Sequence, residues 1–267
     1  MVKRELDSEN AYTASVDKKR RGGLDIKFVK EFDNEGNLLS NERRVGGVLN
    51  GECEYYHKDT HKLWCTIWFT DGKRNGVTKS YRANGDIKCV TNYLHDKVHG
   101  VCKCYNEGKI SSIQNYQNGS KHGVGIVYNA DGIEVSKTMY KFGKAHGLHT
   151  EFYDDGEIKR LGFYADGEAN GEDKRYYENG VLKSKGNYKD GMYHGTIYAY
   201  HPNGKVASEK EYLFGDKNGV HTYRDPRGNI TGVTIYMDDE PHIALRYNPN
   251  GTLAKTTYYN DGKPFEV

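Results

Sequence analysis

The sequence predicts an all-β protein, an elongated array of antiparallel β-hairpins with about nine to ten units of ~24 residues. A glycine recurs every 23 to 25 residues, and aromatic and aliphatic residues keep constant positions between these glycines. Tyrosine and glycine account for 23 and 32 of the 267 residues, which favours short strands and tight turns over helices. Because the mean hydropathy is −0.89, we expect each unit to pack on its neighbours rather than on a central core.

The first residues lie outside this pattern. The first 30 residues carry eight Lys or Arg against five Asp or Glu. We expect residues 1–26 to be a polar, basic segment that is disordered or caps the array, and residues 27–267 to form the repeat domain. The basic run Lys18–Arg21 fits nuclear import or phosphate binding. We favour a solvated tail before the first strand, because so short a run carries no required spacing.

Each unit ends with asparagine or histidine followed by glycine. The pairs are Asn50 with Gly51, Asn75 with Gly76, His99 with Gly100, His122 with Gly123, His146 with Gly147, Asn170 with Gly171, His194 with Gly195 and Asn218 with Gly219. Asn and His accept a positive φ, and Asn-Gly is typical of tight reversals, so we predict that these pairs are structural turns. The exchange of His for Asn argues against metal binding or acid–base catalysis, because an amide would not replace a ligand freely.

A recurrent aromatic residue, seven positions before the closing glycine, defines the strands. It forms a predicted structural ladder of Phe69, Tyr93, Tyr116, Tyr140, Tyr164, Tyr188, Tyr212 and Tyr236. Six positions earlier stands a residue that is aliphatic in most units, and an even separation places both on one face of a strand. Each unit is thus two strands joined by a short turn such as "ENGV". A longer connection of the form Gly-x-x-Asn/His-Gly links each unit to the next.

The stretch "GEDKRYYENGVLKSKGNYKDGMYHG", residues 171–195, resembles the MORN repeat, in particular the variant of YwqK-like antitoxin proteins. The resemblance rests on two Tyr-x-x-Gly motifs, Leu-Lys-Ser and the closing His-Gly, and it covers nearly the whole chain. It implies a twisted antiparallel sheet that contacts proteins or lipid headgroups. The more usual MORN unit begins Tyr-x-Gly-x-Trp, whereas this chain has two tryptophans, Trp64 and Trp68, so conclusions from that form transfer less safely.

No catalytic, metal-binding or cofactor-binding residue is predicted. The sequence lacks a nucleophile motif, a phosphate-binding glycine loop and a His-Glu-x-x-His motif. His95 and His99 straddle a predicted turn, and Cys102 and Cys104 lack the partners of a thiolate site. The five cysteines, an odd number, indicate free thiols in a reducing compartment. Because the chain shows neither a signal peptide nor an apolar span, we expect an intracellular, cytoplasmic protein.

The predicted function is non-enzymatic protein binding. The net charge of +2 is too small to indicate a specific nucleic-acid partner, and an aromatic-rich, near-neutral surface suits protein interfaces. The protein is then either an antitoxin-like or immunity-like factor or a scaffold, and an end-to-end or edge-mediated homodimer fits the same array. The alternative is a membrane-surface or phosphoinositide adaptor that uses Lys79, Lys103 and Lys174, which follow closing glycines by three residues. We favour ordinary solvent-facing lysines.

Overall fold

The computed structural model describes the backbone of residues 4–7, 11–21 and 24–265 and the side chains of residues 25–265. These residues form strands and turns, so the predicted all-β hairpin array is confirmed. Within the described residues there is no helix of the length and apolarity that a membrane crossing requires. The chain forms two compact units, Met1–Gly132 and Ile133–Val267, each of which is described in turn.

The first unit is an antiparallel sheet whose strands pair in chain order. Its strands are β1 (Arg4–Asp7), β2 (Ala11–Arg21), β3 (Leu24–Asp33), β4 (Leu38–Val45), β5 (Val48–Leu49), β6 (Gly51–Tyr56), β7 (Leu63–Thr70), β8 (Lys73–Tyr81), β9 (Ile87–Leu94), β10 (Lys97–Asn106), β11 (Lys109–Gln117) and β12 (Ser120–Tyr128). The short strand β5 and the longer β6 pair with the same partner, β4. The local order of the sheet therefore follows the order of the sequence.

The second unit repeats this arrangement. Its strands are β13 (Glu134–Lys141), β14 (Lys144–Phe152), β15 (Ile158–Ala165), β16 (Glu168–Tyr176), β17 (Leu182–Lys189), β18 (Met192–Tyr193), β19 (Gly195–Tyr200), β20 (Val206–Leu213), β21 (Asp216–Lys217), β22 (Gly219–Arg224), β23 (Ile230–Met237), β24 (Glu240–Tyr247), β25 (Leu253–Asn260) and β26 (Lys263–Phe265). Strands β18 and β19 both pair with β17, and β21 and β22 both pair with β20. In each case the facing strand is interrupted at a closing pair.

Strand pairing begins before residue 27. Strand β2 pairs along its length with β3, and Lys18 lies opposite Lys27. The backbone of Lys18–Arg21 therefore belongs to the sheet rather than to a tail that precedes the first strand. The side chains of Lys18–Arg21 lie outside the described residues, as do the whole of residues 1–3, 8–10, 22–23 and 266–267.

The strands reverse at two kinds of connection, and the closing pairs are neither of them. One is a two-residue turn, as at Asp166 and Gly167, where φ is 51° and 98°. Positive φ at both central residues is typical of a type I′ turn. The other is a five-residue loop, as at residues 153–157, closed by hydrogen bonds from Tyr153 N–H to Glu157 O and from Gly156 N–H to Tyr153 O. The two-residue turn therefore links one unit to the next, and the five-residue loop lies within a unit. This is the opposite of the lengths predicted from the sequence.

The closing pairs do not form the reversals, which corrects the predicted turns: five of them lie within strands, and Asn50, His194 and Asn218 each stand at an interruption of a strand. None of Asn50, Asn75, His99, His122, His146, Asn170, His194 and Asn218 has a positive φ, whereas the glycine after each one does. At Gly171 φ is 106°, and the register of β15 with β16 shifts between Gly162 and Tyr164. This is a β-bulge, which favours glycine because a side chain at this positive φ would be strained; an added Cβ would also lie 3.3 Å from Cβ of Phe163. The Asn or His before the glycine keeps a negative φ.

The expectation of five free thiols is wrong, because Cys89 and Cys104 form a disulfide. Antiparallel pairing of β9 with β10 places these residues directly opposite each other, with their Cα atoms 4.1 Å apart. Cys53, Cys65 and Cys102 are free, and burial raises the pKa of Cys65 to about 11. Disulfides are typical of oxidising compartments, so the thiols no longer support an intracellular location.

Candidate functional site

The Asn or His of six closing pairs reaches the two-residue turn of the next hairpin. Asn50 Nδ2 donates to Asp71 Oδ1 at 3.2 Å, and Asn170 Nδ2 donates to Asp190 Oδ1 at 3.3 Å. In a histidine unit, His146 Nδ1 lies 3.7 Å from Asp166 Oδ1. Contacts at similar spacings, 19 to 21 residues along the chain, recur at Asn218 with Asp238, at His99 with the Asn118 N–H, and at His194, whose ring contacts Phe214. Both residue types therefore serve a contact between hairpins.

The ladder aromatics all lie in strands, namely β7, β9, β11, β13, β15, β17, β20 and β23 in chain order. In the second unit their rings contact one another through rings that lie between them. Tyr193 bridges Tyr188 and Tyr212 with centroid distances of 4.6 and 5.3 Å. His221 bridges Tyr212 and Tyr236 at 5.4 and 4.6 Å. Such ring pairs stabilise by about 0.5–1.5 kcal/mol each beyond their burial.

His221 is the most buried of these rings, with 1% of its surface exposed. Its Nε2 lies 2.8 Å from the carbonyl oxygen of Glu211, so this nitrogen carries the proton and donates. Burial lowers the pKa of His221 below its ordinary value, and the nearby Lys210 and Lys217 act in the same direction. His221 is thus a neutral packing residue of the ladder.

A polar network crosses β14, β15 and β16. Arg160 Nε donates to Asp173 Oδ2 at 2.6 Å, and Arg160 Nη1 donates to Glu151 Oε1 at 3.3 Å. The Asp173 side chain is only 8% exposed and also accepts from Arg175 Nε at 3.3 Å. Gly162 leaves room for this carboxylate, because an added Cβ would lie 2.8 Å from Asp173 Oδ2. A side chain at position 162 would therefore displace the Asp173 carboxylate from this arrangement.

His149 extends the network across the same strands. One ring nitrogen, Nε2, lies 3.2 Å from Glu151 Oε1, and Nδ1 lies 2.8 Å from Thr138 Oγ1. Desolvation raises the pKa of Glu151, but the hydrogen bonds from His149 and Arg160 outweigh it, and the net pKa is lowered. Glu151 is therefore an ion-paired carboxylate at neutral pH. A carboxylate held in this way stabilises the sheet and is a poor general base.

Beside this network a cavity of about 340 Å³ opens between Tyr153 and Tyr176. Its charged rim carries Lys159, Lys183 and the guanidinium groups of Arg160 and Arg175, of which the two arginines already pair with Asp173. The chemistry of this cavity suits an anionic group. Much of its positive charge is nevertheless neutralised from within the sheet.

The first unit contains a larger cavity, of about 670 Å³, at the loop ends of β3, β6 and β7. Four carboxylates line it, from Glu31, Asp33, Glu35 and Asp59. Hydrogen bonds from Asn37 lower the pKa of Asp33, which keeps this group ionised. Among the described residues, Asp33, Glu35 and His61 are the group whose donor atoms lie within 4.8 Å of one another, which suits a metal ion. The Asp33 oxygens already accept bonds from Asn37 and from the Glu35 N–H.

The three lysines of the membrane alternative lie in different surroundings. Lys79 and Lys103 are exposed and lie on opposite sides of Val90 in the sheet of the first unit. Lys174, in the second unit, pairs with Glu172 at 2.6 Å, and this hydrogen bond raises its pKa. The structure therefore brings two of the three lysines near one another and neutralises the third.

Three consecutive segments of the chain, residues 145–166, 169–190 and 193–213, match the family model described as "MORN repeat variant". These residues carry MORN repeats of the variant type. The three matched segments contain closing pairs, ladder tyrosines and most of the Arg160 network, so the geometry described above is that of neighbouring MORN units. MORN repeats are generally modules that bind proteins or membranes and are typically non-enzymatic.

No curated protein matches the chain. Among solved structures, a porin-like protein from Bacteroides uniformis aligns with 99% of this chain and 90% of that chain, at 9% identity and a TM-score of 0.20. The Photorhabdus luminescens Tc holotoxin pore aligns with 93% of this chain and 16% of that chain, at 12% identity and a TM-score of 0.16. Scores this low carry no argument about the fold or function of this chain.

Sequence patterns missed the two charged sites for different reasons. Arg160 occupies a position where other units have mostly small residues, a departure from the repeat that could have marked the MORN network. The acidic cavity draws on the loops "DNEG" and "KDTH", which are separate in the sequence. Only strand pairing brings Asp33 and Asp59 to the same cavity.

Proposed function

We propose that this chain is a non-enzymatic MORN module that binds a protein partner along one face of its second unit. The supporting observation is a row of exposed apolar side chains on the face opposite the ladder, including Met139, Leu148 and Phe163. Leu148 pairs directly with Phe163 across β14 and β15, and the Phe163 side chain is 46% exposed. Exposed apolar residues arranged in a continuous row are typical of protein interfaces.

The opposite face of the same sheet has different chemistry. Adjacent residues on a strand point to opposite faces, so Phe163 lies away from Tyr164 and the ladder. On the ladder face, ring contacts and the Arg160 network join neighbouring strands. The apolar row makes comparatively few such contacts and remains accessible. This difference favours the apolar row as the docking face.

The test is capture of a partner by the full chain from lysate of the source cells. We expect one discrete protein to be retained at moderate salt and to be lost with the double variant L148E/F163E. The matched control is Leu253→Glu, which adds a carboxylate at an exposed apolar position on β25, away from the row. Equal capture by the double variant and by the wild type, with both chains folded, would refute this docking face.

The antitoxin-like and scaffold forms of this function differ in what binding does to the partner. An antitoxin-like or immunity factor inhibits one toxic partner in a fixed ratio, whereas a scaffold holds several partners without inhibiting them. The reading frame next to the gene separates the two forms, because an antitoxin is expected beside its toxin. The location of the protein in the cell stays a prediction of the sequence.

The membrane alternative depends on charge. Binding to vesicles that contain phosphatidylserine or phosphoinositides should weaken steeply with salt and vanish when Lys79 and Lys103 are changed to Glu. The ion pair of Lys174 with Glu172 argues against this alternative, because it removes one of its three lysines. A chain that binds such vesicles and captures no protein would replace the protein-binding proposal.

A further inference from the structure

The acidic cavity of the first unit differs from the rest of the array in its charge. Its four carboxylates, from Glu31, Asp33, Glu35 and Asp59, face one lysine, Lys58. The chain as a whole carries a net charge of +2, so this concentration of negative charge is local. Like charges held close together repel, and a cation from outside would relieve that repulsion. The cavity is therefore electrostatically complementary to a positively charged group.

The walls of the cavity are aromatic. Tyr55, Tyr56 and Trp64 line it, and the Trp64 side chain is 52% exposed. The hydroxyl groups of the tyrosines are engaged with Glu42 and Glu54, at 3.2 and 3.1 Å, which fixes the orientation of the rings. An exposed indole beside fixed phenol rings offers flat faces for a cation to stack on. Carboxylates and aromatic faces thus meet in one space.

A guanidinium group satisfies both features at once. It is planar, it donates two parallel hydrogen bonds to a carboxylate, and it stacks on aromatic rings. An ammonium group is a compact, strongly hydrated charge that gains less from an aromatic wall. The volume of about 670 Å³ lies in the range of ligand sites and admits an arginine side chain together with part of its backbone.

We propose that this cavity binds an arginine side chain on a net-positive segment of the protein partner. The inference rests on the proposed protein-binding function and names the chemistry of the partner. Glu31, Glu35 and Asp59 are exposed and supply the carboxylates for the guanidinium. From the described residues, Glu31 and Glu35 accept only long hydrogen bonds, from Ser40 at 3.5 Å and Asn37 at 3.4 Å, whereas Asp33 accepts shorter bonds from Asn37. Trp64 provides the stacking surface.

The test uses the intact chain with Trp68→Phe, which leaves Trp64 as the single tryptophan. Its fluorescence is followed during titration with the acetylated, amidated peptide Gly-Gly-Arg-Gly-Gly and with the same peptide carrying citrulline, the neutral isostere of arginine. We expect a saturable change with the arginine peptide and binding at least about tenfold weaker with citrulline. High salt should weaken binding of the arginine peptide and leave binding of the citrulline peptide unchanged.

Variants test the carboxylates. The double variant E35Q/D59N should bind the arginine peptide at least about tenfold more weakly, because two of the carboxylate charges that face the guanidinium are removed. The matched control E107Q removes an exposed carboxylate of the same unit outside the cavity and should leave the affinity unchanged. Circular dichroism of each variant establishes that the sheet is intact.

Several outcomes would overturn the proposal. They are equal binding of the citrulline peptide, equal binding of a lysine peptide, and unchanged affinity of E35Q/D59N. A fluorescence change that Zn²⁺ produces and EDTA reverses, with none from the arginine peptide, would make the cavity a metal site instead. If the intact chain does not bind the arginine peptide while L148E/F163E still abolishes capture of the protein partner, the arginine site is refuted and the proposed function stands.

Discussion

At the scale of single residues, the chain explains why asparagine and histidine exchange within one repeat position. Both side chains carry a nitrogen at the same distance from the backbone, and both use it to reach the turn of the next hairpin. The positive φ belongs to the following glycine, which forms the bulge. In this repeat Asn or His supplies the side-chain contact and glycine alone takes the positive φ, whereas in an Asn-Gly turn both residues take a positive φ.

The Asn170 position tests this explanation. Asn170→Ala should lower the free energy of unfolding by about 1 kcal/mol, because the hydrogen bond to Asp190 is lost. Asn170→His should lie within about 0.5 kcal/mol of the wild type, because the ring reaches the same turn. Urea denaturation measures both changes, with Asn187→Ala, an exposed position on β17, as the control. A histidine variant as unstable as the alanine variant would refute the explanation.

At the scale of strands, the array buries charge where a packed core is missing. The Arg160–Asp173 pair joins β15 to β16, with side chains that are 18% and 8% exposed. Desolvation makes such a pair costly to assemble, but removing one partner leaves the other without compensation. We therefore expect the pair to fix the register of these strands more than it adds net stability.

Substitution of this pair should show that asymmetry. Asp173→Leu should lower the free energy of unfolding by about 3 kcal/mol, and R160L/D173L should recover part of that loss. The control is Arg227→Met, which breaks an exposed ion pair with Asp225 and should cost at most about 1 kcal/mol. Denaturation at neutral pH measures all three chains. A double variant less stable than Asp173→Leu would contradict the register interpretation.

His221 predicts a dependence of stability on pH. Its pKa in the folded chain lies below the ordinary value of about 6.5, so the unfolded chain binds the proton more tightly. Stability from this group is therefore present above pH 6.5 and is lost as the pH falls through the unfolded pKa. The difference in free energy of unfolding between wild type and His221→Gln should shrink between pH 7.5 and pH 5. A constant difference over that range would show that His221 does not titrate in this way.

At the scale of the whole molecule, stability accumulates from contacts between neighbouring hairpins. Few side chains are fully buried, and the ring, turn and bulge contacts recur at the repeat period. A protein of this kind tolerates a change in the number of units better than a shift in register.

Deletion of one period tests that property. Removal of residues 195–218 takes out 24 residues and joins His194 to Gly219, which preserves the closing pair. We expect this chain to fold with the same strand content and a lower stability, because one set of neighbour contacts is lost. Removal of 12 residues, 195–206, should instead abolish the fold of the second unit, since it breaks the strand alternation. Circular dichroism and thermal unfolding of the two deletions distinguish these results.

The sequence by itself determined the repeat, the strands and the spacing of the ladder, because periodicity and alternation act between residues close in the chain. The tertiary structure decided where the chain reverses, which bond Cys89 makes and which charges meet. The two-residue turns and the bulges both contain glycine, so their identity depends on φ and on strand register. The cavity at Asp33 and Asp59 and the Arg160 network arise between strands, where distance in space is set by pairing and not by position in the sequence.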